Sequence, residues 1–375
     1  MNKKNSPHLI NTLTIISIVI FSVLILYLPF LFKAPQWLGV RGLDMHTVYK
    51  HFDGPLYVVA AKTLYNPNEI KSLHLQLESR PGYYPAHLPL YPLLIRSLAL
   101  LGYMRAMLFI PLLATIAMAL MFYLFVWKYK ISEHPLILSV VLLFLPRLLV
   151  VRSVGAPETL FIFFVLASLY FFESKKYILA GLFGVLSVMT KSPGVLLFIA
   201  YILCFVEMYI KDRKLKWEWA GVSLIPVGLI IVFLFYFVQT GDFFAYFHSG
   251  DNIHLVYPYS AFDFTKRWVG TAWLEDLVFY FGVYLLTVVT LYKSHQRSLF
   301  YFGLVFLTAT IFVQHRDIAR YSLPLWPLGL MAFPTFFTSK RFMIVFLILL
   351  PAIYLYAWNF MLYNVMPITD WTPYM

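Results

Sequence analysis

Apolar runs recur along the whole chain, and nearly every compact cluster of lysine and arginine falls between two of them. This alternation constrains the fold more than any motif does. In hydrocarbon every backbone polar group has to be satisfied internally, and a continuous apolar run of ~20 residues does so as a helix. The hydrophobic share is 61% and the charged share 12%, against about 25% charged in soluble domains. Lys and Arg exceed Asp and Glu by 29 to 17. Because the excess sits in short clusters between apolar runs, it reads as a positive-inside bias and not as a face for nucleic acid. The lone cysteine, Cys204, excludes an internal disulfide framework and a thiolate metal cluster.

The predicted class is an all-α polytopic membrane protein, one integral domain over 1–375 with no soluble domain after the last span. The first run, Leu9 to Leu31, is longer than a signal-peptide core and lacks a small-residue cleavage site, so it is predicted to be a retained span. Its basic flank MNKKNSPH places the amino terminus in the cytoplasm and the following stretch, 33–105, outside. Within that stretch PLYPLLIRSLALLG carries Arg96 at its centre, where an arginine costs ~2.5 to 3.5 kcal/mol on insertion. The segment is therefore expected to lie flat in the interface. Further spans are expected near 106–127, 134–151, 157–173, 177–190, 193–209, 218–238, 276–293, 298–313, 322–338 and 341–363, giving about 11 transmembrane helices. With this parity every compact basic cluster except HRDIAR faces the cytoplasm.

Most of the polar chemistry gathers in the first outer loop, which holds Arg41, Asp44, His46, His51, Asp53 and His87. A long loop too apolar for disorder is a candidate active site. In HFDGPLYVVAAKTLY, Pro55 suits a first helical turn, so Asp53 is read either as a helix cap or as a carboxylate facing a site. Asp44 stays open between the same two readings. His46, His51 and Asp53 lack a specific metal-ligand spacing, and no metal site is expected. Tyr83 and Tyr84 in GYYPAHLPLYP belong either to an aromatic belt or to a stacking surface for a sugar. Three outer turns add charge: Arg152 and Glu158 around GAPETLF, Lys191 in TKSPG, and Arg316, Asp317 and Arg320 in QHRDIARYSLP. Arginine's planar fork suits a phosphate, and an internal Arg–Asp salt bridge is the alternative.

The order of these features resembles the C-type (GT-C) superfamily of integral-membrane glycosyltransferases. Within it, the chain is most similar to the branch related to the second mannosyltransferase of GPI-anchor synthesis and its bacterial relatives. HFDGPLY is similar to W-D-x-x-x-Y, YYPAHLPLYPLLIR to F-F-P-L-Y-P-L, GAPETLF to P-Y-[ST]-E-S-L-F, and TKSPG to T-R-x-x-G. The chain departs in three places: Phe52 stands for Trp, Ala86 to Leu88 interrupt the proline segment, and the first loop has no acidic pair. The resemblance implies inverting transfer of a hexose, of the mannosyl type, from a polyprenyl-phosphate carrier to the hydroxyl of a glycan, lipid or protein acceptor. Asp53 is then the general base with Asp44 as its alternative, and no cofactor is implied. Substrate contacts fall to Arg41, His46, Tyr57, Tyr83, Tyr84, His87, Glu158, Lys191, Arg316, Asp317, Arg320 and Tyr321. The partners are the lipid-linked donor, the acceptor and membrane lipid, with no nucleic acid. The active face is extracytoplasmic, at the plasma membrane in a prokaryote. The rival class is a lipid or polysaccharide transporter or flippase, which would place ionisable residues deep inside its spans.

Overall fold

The computed structural model describes residues 6–33, 44–76, 80–250, 255–267, 269, 274–315 and 317–375. Among the described residues there is no β-strand, only two isolated bridges, and the chain is a bundle of helices. It begins with the long α1 (Ser6–Leu31). Four short helices follow: α2 (Met45–Tyr49), α3 (Gly54–Thr63), α4 (Pro67–Ser72) and α5 (Leu90–Ser97). With its 8 residues, α5 rises about 12 Å and falls well short of a ~30 Å hydrocarbon core. By itself α5 is therefore too short to span that core. Arg96 Nη1 instead donates to the carbonyls of Ala61 and Lys62, at 2.9 and 2.8 Å. A cation thus closes the carboxyl end of α3, where the helix dipole favours it.

α6 (Tyr103–Lys128) runs through Pro111 without breaking. A proline frees the carbonyl four residues before it, here that of Met107. The buried Tyr91 hydroxyl from α5 donates to that carbonyl at 2.6 Å. The next expected span is divided into α7 (Pro135–Leu143) and α8 (Pro146–Val151). Leu145, the residue before Pro146, is extended at φ −57 and ψ 128, as the proline ring requires.

Beyond it come α9 (Glu158–Glu173), α10 (Tyr177–Thr190), α11 (Leu196–Asp212), α12 (Leu224–Thr240) and the short α13 (Ala245–His248). The chain continues through α14 (Leu274–Leu291), α15 (Arg297–Ile311) and the four-residue α16 (Ile318–Tyr321). The run expected over 322–338 is divided like 134–151, into α17 (Leu325–Ala332) and α18 (Pro334–Phe337), again before a proline. α19 (Lys340–Tyr363) is the last long helix.

Among the described residues six helical stretches are long and apolar enough to cross a membrane: His8–Leu31, Tyr103–Lys128, Ser192–Asp212, Trp217–Thr240, Leu274–Leu291 and Lys340–Tyr363. Two shorter apolar helices, Tyr177–Thr190 and Arg297–Ile311, pack among them. Large apolar side chains such as Val238, Ile348 and Val289 point outward without protein cover. That surface is made for lipid, and the chain is an integral membrane protein.

The two ends of the bundle differ in chemistry. At one end the helices of 44–101 pack with residues 364–375: Phe52 N donates to Asn364 O at 3.1 Å, and Met366 N to Lys50 O at 2.8 Å. At the other end polar pairs tie helix termini together. Lys128 Nζ donates to Ser174 Oγ at 2.7 Å, Arg297 Nε to Glu207 Oε2 at 2.8 Å, and Ser298 N to Glu173 Oε1 at 2.9 Å.

Candidate functional site

Two glycines bring the site together. A Cβ on Gly155 would lie 2.8 Å from Gly54 Cα and 2.6 Å from Met107 Sδ. The start of α3 can therefore touch the turn before α9 only because neither residue carries a side chain. Asp53, next to Gly54, and Glu158, three residues past Gly155, are thereby brought to one arginine, Arg320.

Glu158 is buried at the start of α9, and its Oε1 accepts from Lys191 Nζ at 2.8 Å and from Arg320 Nε at 2.7 Å. Arg320, on α16, turns Nη1 toward Asp53 Oδ2 at 3.6 Å. From the loop side His87 Nε2 stands 4.0 Å from the same oxygen. Asp53 holds the N-cap position of α3 but makes no side-chain capping bond, so its carboxylate is free for the pocket.

Five segments distant in sequence thus place two carboxylates, two cations and an imidazole together. Burial would lower the charge affinity of Arg320, but Glu158 and Asp53 hold its pKa well above the ordinary value. Lys191 moves the other way, since burial pulls it down against the attraction of Glu158. Burial also raises the phenols of Tyr57 and Tyr321, which stay neutral around the pocket.

Asp53, Tyr57, His87, Thr190, Lys191, Ser192, Tyr246, Arg320 and Tyr321 line a polar cavity of about 70 Å³. It adjoins an apolar cavity of about 290 Å³ walled by Phe161, Ile162, Leu196, Leu229, Phe233, Phe306 and Val313. Leu88, Lys191, Ser192, Tyr246, Arg320 and Tyr321 line both. Charge at the mouth of a greasy chamber suits a ligand with an anionic head and a hydrocarbon tail.

Other residues singled out by sequence lie elsewhere. Asp44 caps α2, accepting from His46 N at 3.0 Å and Thr47 N at 3.3 Å. Burial pulls its pKa upward, but the His46 side chain and these amides hold it below the usual range. His46 pairs with Asp44 at 3.1 Å and packs on Trp371 with ring centres 4.9 Å apart. Tyr84 is fully buried and lines neither cavity, while Tyr83 reaches the ring of His87. Asp317 is taken by Arg147, so an internal Arg–Asp pair does form, with a partner from α8. His51 is buried on Met361 O at 3.0 Å, apart from His46 and Asp53. Arg41 and Arg316 lie outside the described residues.

Sequence reasoning missed Arg147, which stacks 4.0 Å over Phe360 besides holding Asp317. Its signal was an arginine within an apolar run, which needs a partner. The role of Phe52 was missed as well. Its ring lies 4.2 Å from the Arg320 guanidinium, so the residue standing in place of tryptophan still offers a cation an aromatic face. Ser192 and Tyr246 close the pocket with a hydroxyl pair at 2.8 Å, and nothing local in the sequence marks Tyr246.

No family model matches this chain, and no curated protein does either. Its fold is similar to that of an archaeal oligosaccharyltransferase. The crystal structure of the Archaeoglobus fulgidus oligosaccharyltransferase tethered with an acceptor peptide containing the NVT sequon aligns with a TM-score of 0.55 at 13% identity, covering 95% of this chain and 56% of that one. The same archaeal protein, AglB, in complex with an inhibitory peptide and a dolichol-phosphate aligns at 0.51 and 13%, with 95% and 57% covered. The chain thus spans little more than half the length of these neighbours, and what it shares with them is the helical fold.

Proposed function

We propose that this protein is a glycosyltransferase that moves a hexose, of the mannosyl type, from a polyprenyl-phosphate carrier to an acceptor hydroxyl, with inversion. One observation carries the reading: a carboxylate free of capping duty faces a buried arginine and a half-buried lysine at the mouth of an apolar cavity. Asp53 takes the proton of the acceptor hydroxyl as its oxygen attacks the anomeric carbon. The bond from that carbon to the phosphate oxygen breaks, and the phosphate leaves with the electron pair. Arg320 and Lys191 receive its charge, and Glu158 fixes both cations beforehand. The apolar cavity takes the first isoprene units. In this reading the two side-chain cations do the electrostatic work, so turnover needs no metal.

The similarity of HFDGPLY, GAPETLF and TKSPG to the mannosyltransferase branch supports the choice of hexose, and a neighbour's complex with dolichol-phosphate supports the donor class. A transporter is disfavoured because the buried charges Arg152, Glu158 and Arg320 sit at helix ends, not along a path through the bundle. In the same reading α7 with α8 and α17 with α18 each make one broken crossing. Together with the other long helices they give about 11 crossings, with the site on the extracytoplasmic face.

Purified protein incubated with radiolabelled polyprenyl-phosphate mannose and an alkyl mannoside acceptor tests the activity. Labelled disaccharide, insensitive to EDTA and lost in Asp53→Asn, is expected. Movement of the intact lipid across vesicles without transfer would establish the transporter instead.

A further inference from the structure

His87 stands in the three residues, Ala86 to Leu88, by which the proline segment departs from the motif it resembles, and the resemblance counts it among the substrate contacts without a step of its own. Its place is nevertheless tightly determined. The His87 carbonyl accepts from Tyr65 Oη at 2.6 Å and from Tyr236 Oη at 3.4 Å, which anchors the backbone from the turn after α3 and from α12. Tyr57 meets its ring edge-on at 4.8 Å, and Tyr83 lies on another side at 5.6 Å. The side chain is 5% exposed and lines the polar cavity.

Both neighbours of the Asp53 carboxylate approach one oxygen. Arg320 Nη1 lies 3.6 Å and His87 Nε2 4.0 Å from Oδ2. Among the described residues no side-chain bond reaches Oδ1, which is left for an incoming hydroxyl.

From this geometry we propose that His87 is a positioning residue, holding Oδ2 of Asp53 so that Oδ1 is presented to the acceptor. The proposal rests on the glycosyltransfer reading for the word acceptor, but the Asp53–His87 pairing does not. Arg320 cannot do this work during turnover, because the donor phosphate competes for its guanidinium. The phosphate-binding cations Lys191 and Arg320 lie across the cavity from His87, and a small side-chain rotation would bring its Nε2–H onto Oδ2. Among the described residues, the groups that share the cavity or ring contacts with the imidazole are Asp53 at the N-cap of α3, Tyr57 on α3, Tyr83 from its own turn, and Lys191, Tyr246, Arg320 and Tyr321 across the cavity, and Asp53 is the anion of that set.

Two measurements decide it. The first uses no substrate: nitrogen-15 histidine NMR of the whole protein in nanodiscs, with the His87 signal assigned by its loss in His87→Gln. Removing an opposite charge 4 to 6 Å away lowers a histidine's titration midpoint by about one pH unit or more, and that shift is expected in Asp53→Asn. An unchanged midpoint overturns the pairing whatever the enzyme does.

The second is turnover of polyprenyl-phosphate mannose. His87→Leu, which keeps the bulk but has no donor, should lose about tenfold or more in kcat, the loss expected for a hydrogen bond to a charged group. Its donor KM should stay unchanged, and His87→Gln, with an amide donor, should recover most of the rate. Equal loss in both variants, or a raised donor KM, would reduce His87 to packing. If the wild-type protein transfers nothing, the glycosyltransfer reading fails while the NMR result still decides the pairing.

Discussion

Asp53 combines the position of a helix cap with a side chain that caps nothing, which makes one substitution informative. Asn and Asp cap about equally well, and here even that bond is absent. Asp53→Asn is therefore expected to cost little thermal stability, since Arg320 keeps Glu158 as its closer partner, and to lower turnover of the labelled donor by roughly 100-fold or more, the usual yield of a positioned base. Glu158→Gln should do the opposite in kind. Its carboxylate is the partner of both Lys191 and Arg320, and leaving a buried ion without its counter-charge costs ~3 to 5 kcal/mol. A large drop in melting temperature together with a raised donor KM is the expected pair of readings. His51 adds a pH dependence. Burial, helped by the charges of Arg320 and Arg147, pushes its pKa down to about 3 despite the Met361 carbonyl. Below about pH 6.5 the unfolded chain takes a proton that the folded one refuses, so stability is full above that pH and is lost as pH falls toward 3. Melting curves across this window should fall less steeply for His51→Gln. Asp53, Glu158 and Lys191 were legible as site candidates because each sits in a short local pattern. The partnership of Arg147 with Asp317 was not, since 170 positions separate the two residues.

At the scale of elements, hydropathy located the long helices well and their interruptions poorly. Pro146 and Pro334 divide their runs, whereas Pro111 stays inside α6. The difference at Pro111 is a tyrosine from another helix, which satisfies the carbonyl that the proline frees. No reading confined to the run itself sees that partner. Tyr91→Phe removes the hydroxyl and leaves Met107 O buried without its donor. A loss of ~1 to 3 kcal/mol is expected, measurable as a lower melting temperature, with the donor KM nearly unchanged because Tyr91 lines neither cavity. The contact of α3 with the turn before α9 is equally invisible in sequence, since it needs Gly54 and Gly155 to lie opposite each other.

At the scale of the whole molecule, the charge bias and the internal contacts group the same segments at the same end from independent grounds. The bias counts Lys and Arg between runs and makes no reference to packing. The contacts put residues 364–375 on the helices of the first loop, with Lys62 Nζ donating to Pro373 O at 2.7 Å. They put Lys128 with Ser174, and Glu207 with Arg297, at the opposite end. If both readings hold, the site and the carboxyl-terminal segment share one face of the membrane, while Lys130 and Lys214 share the other. Cys204 is the sole cysteine in the chain and is buried, so single cysteines can be introduced on the natural background as reporters. Glu69→Cys and Thr372→Cys, both exposed near the site end, should react with an impermeant maleimide added outside sealed cells. Lys130→Cys and Lys214→Cys, exposed at the other end, should react only after the membrane is opened. Labelling of Lys130→Cys from outside would break the parity that α5 sets by lying flat. Labelling of Thr372→Cys only from inside, with Glu69→Cys still outside, would show that the tail contacts cannot form across the bilayer as described.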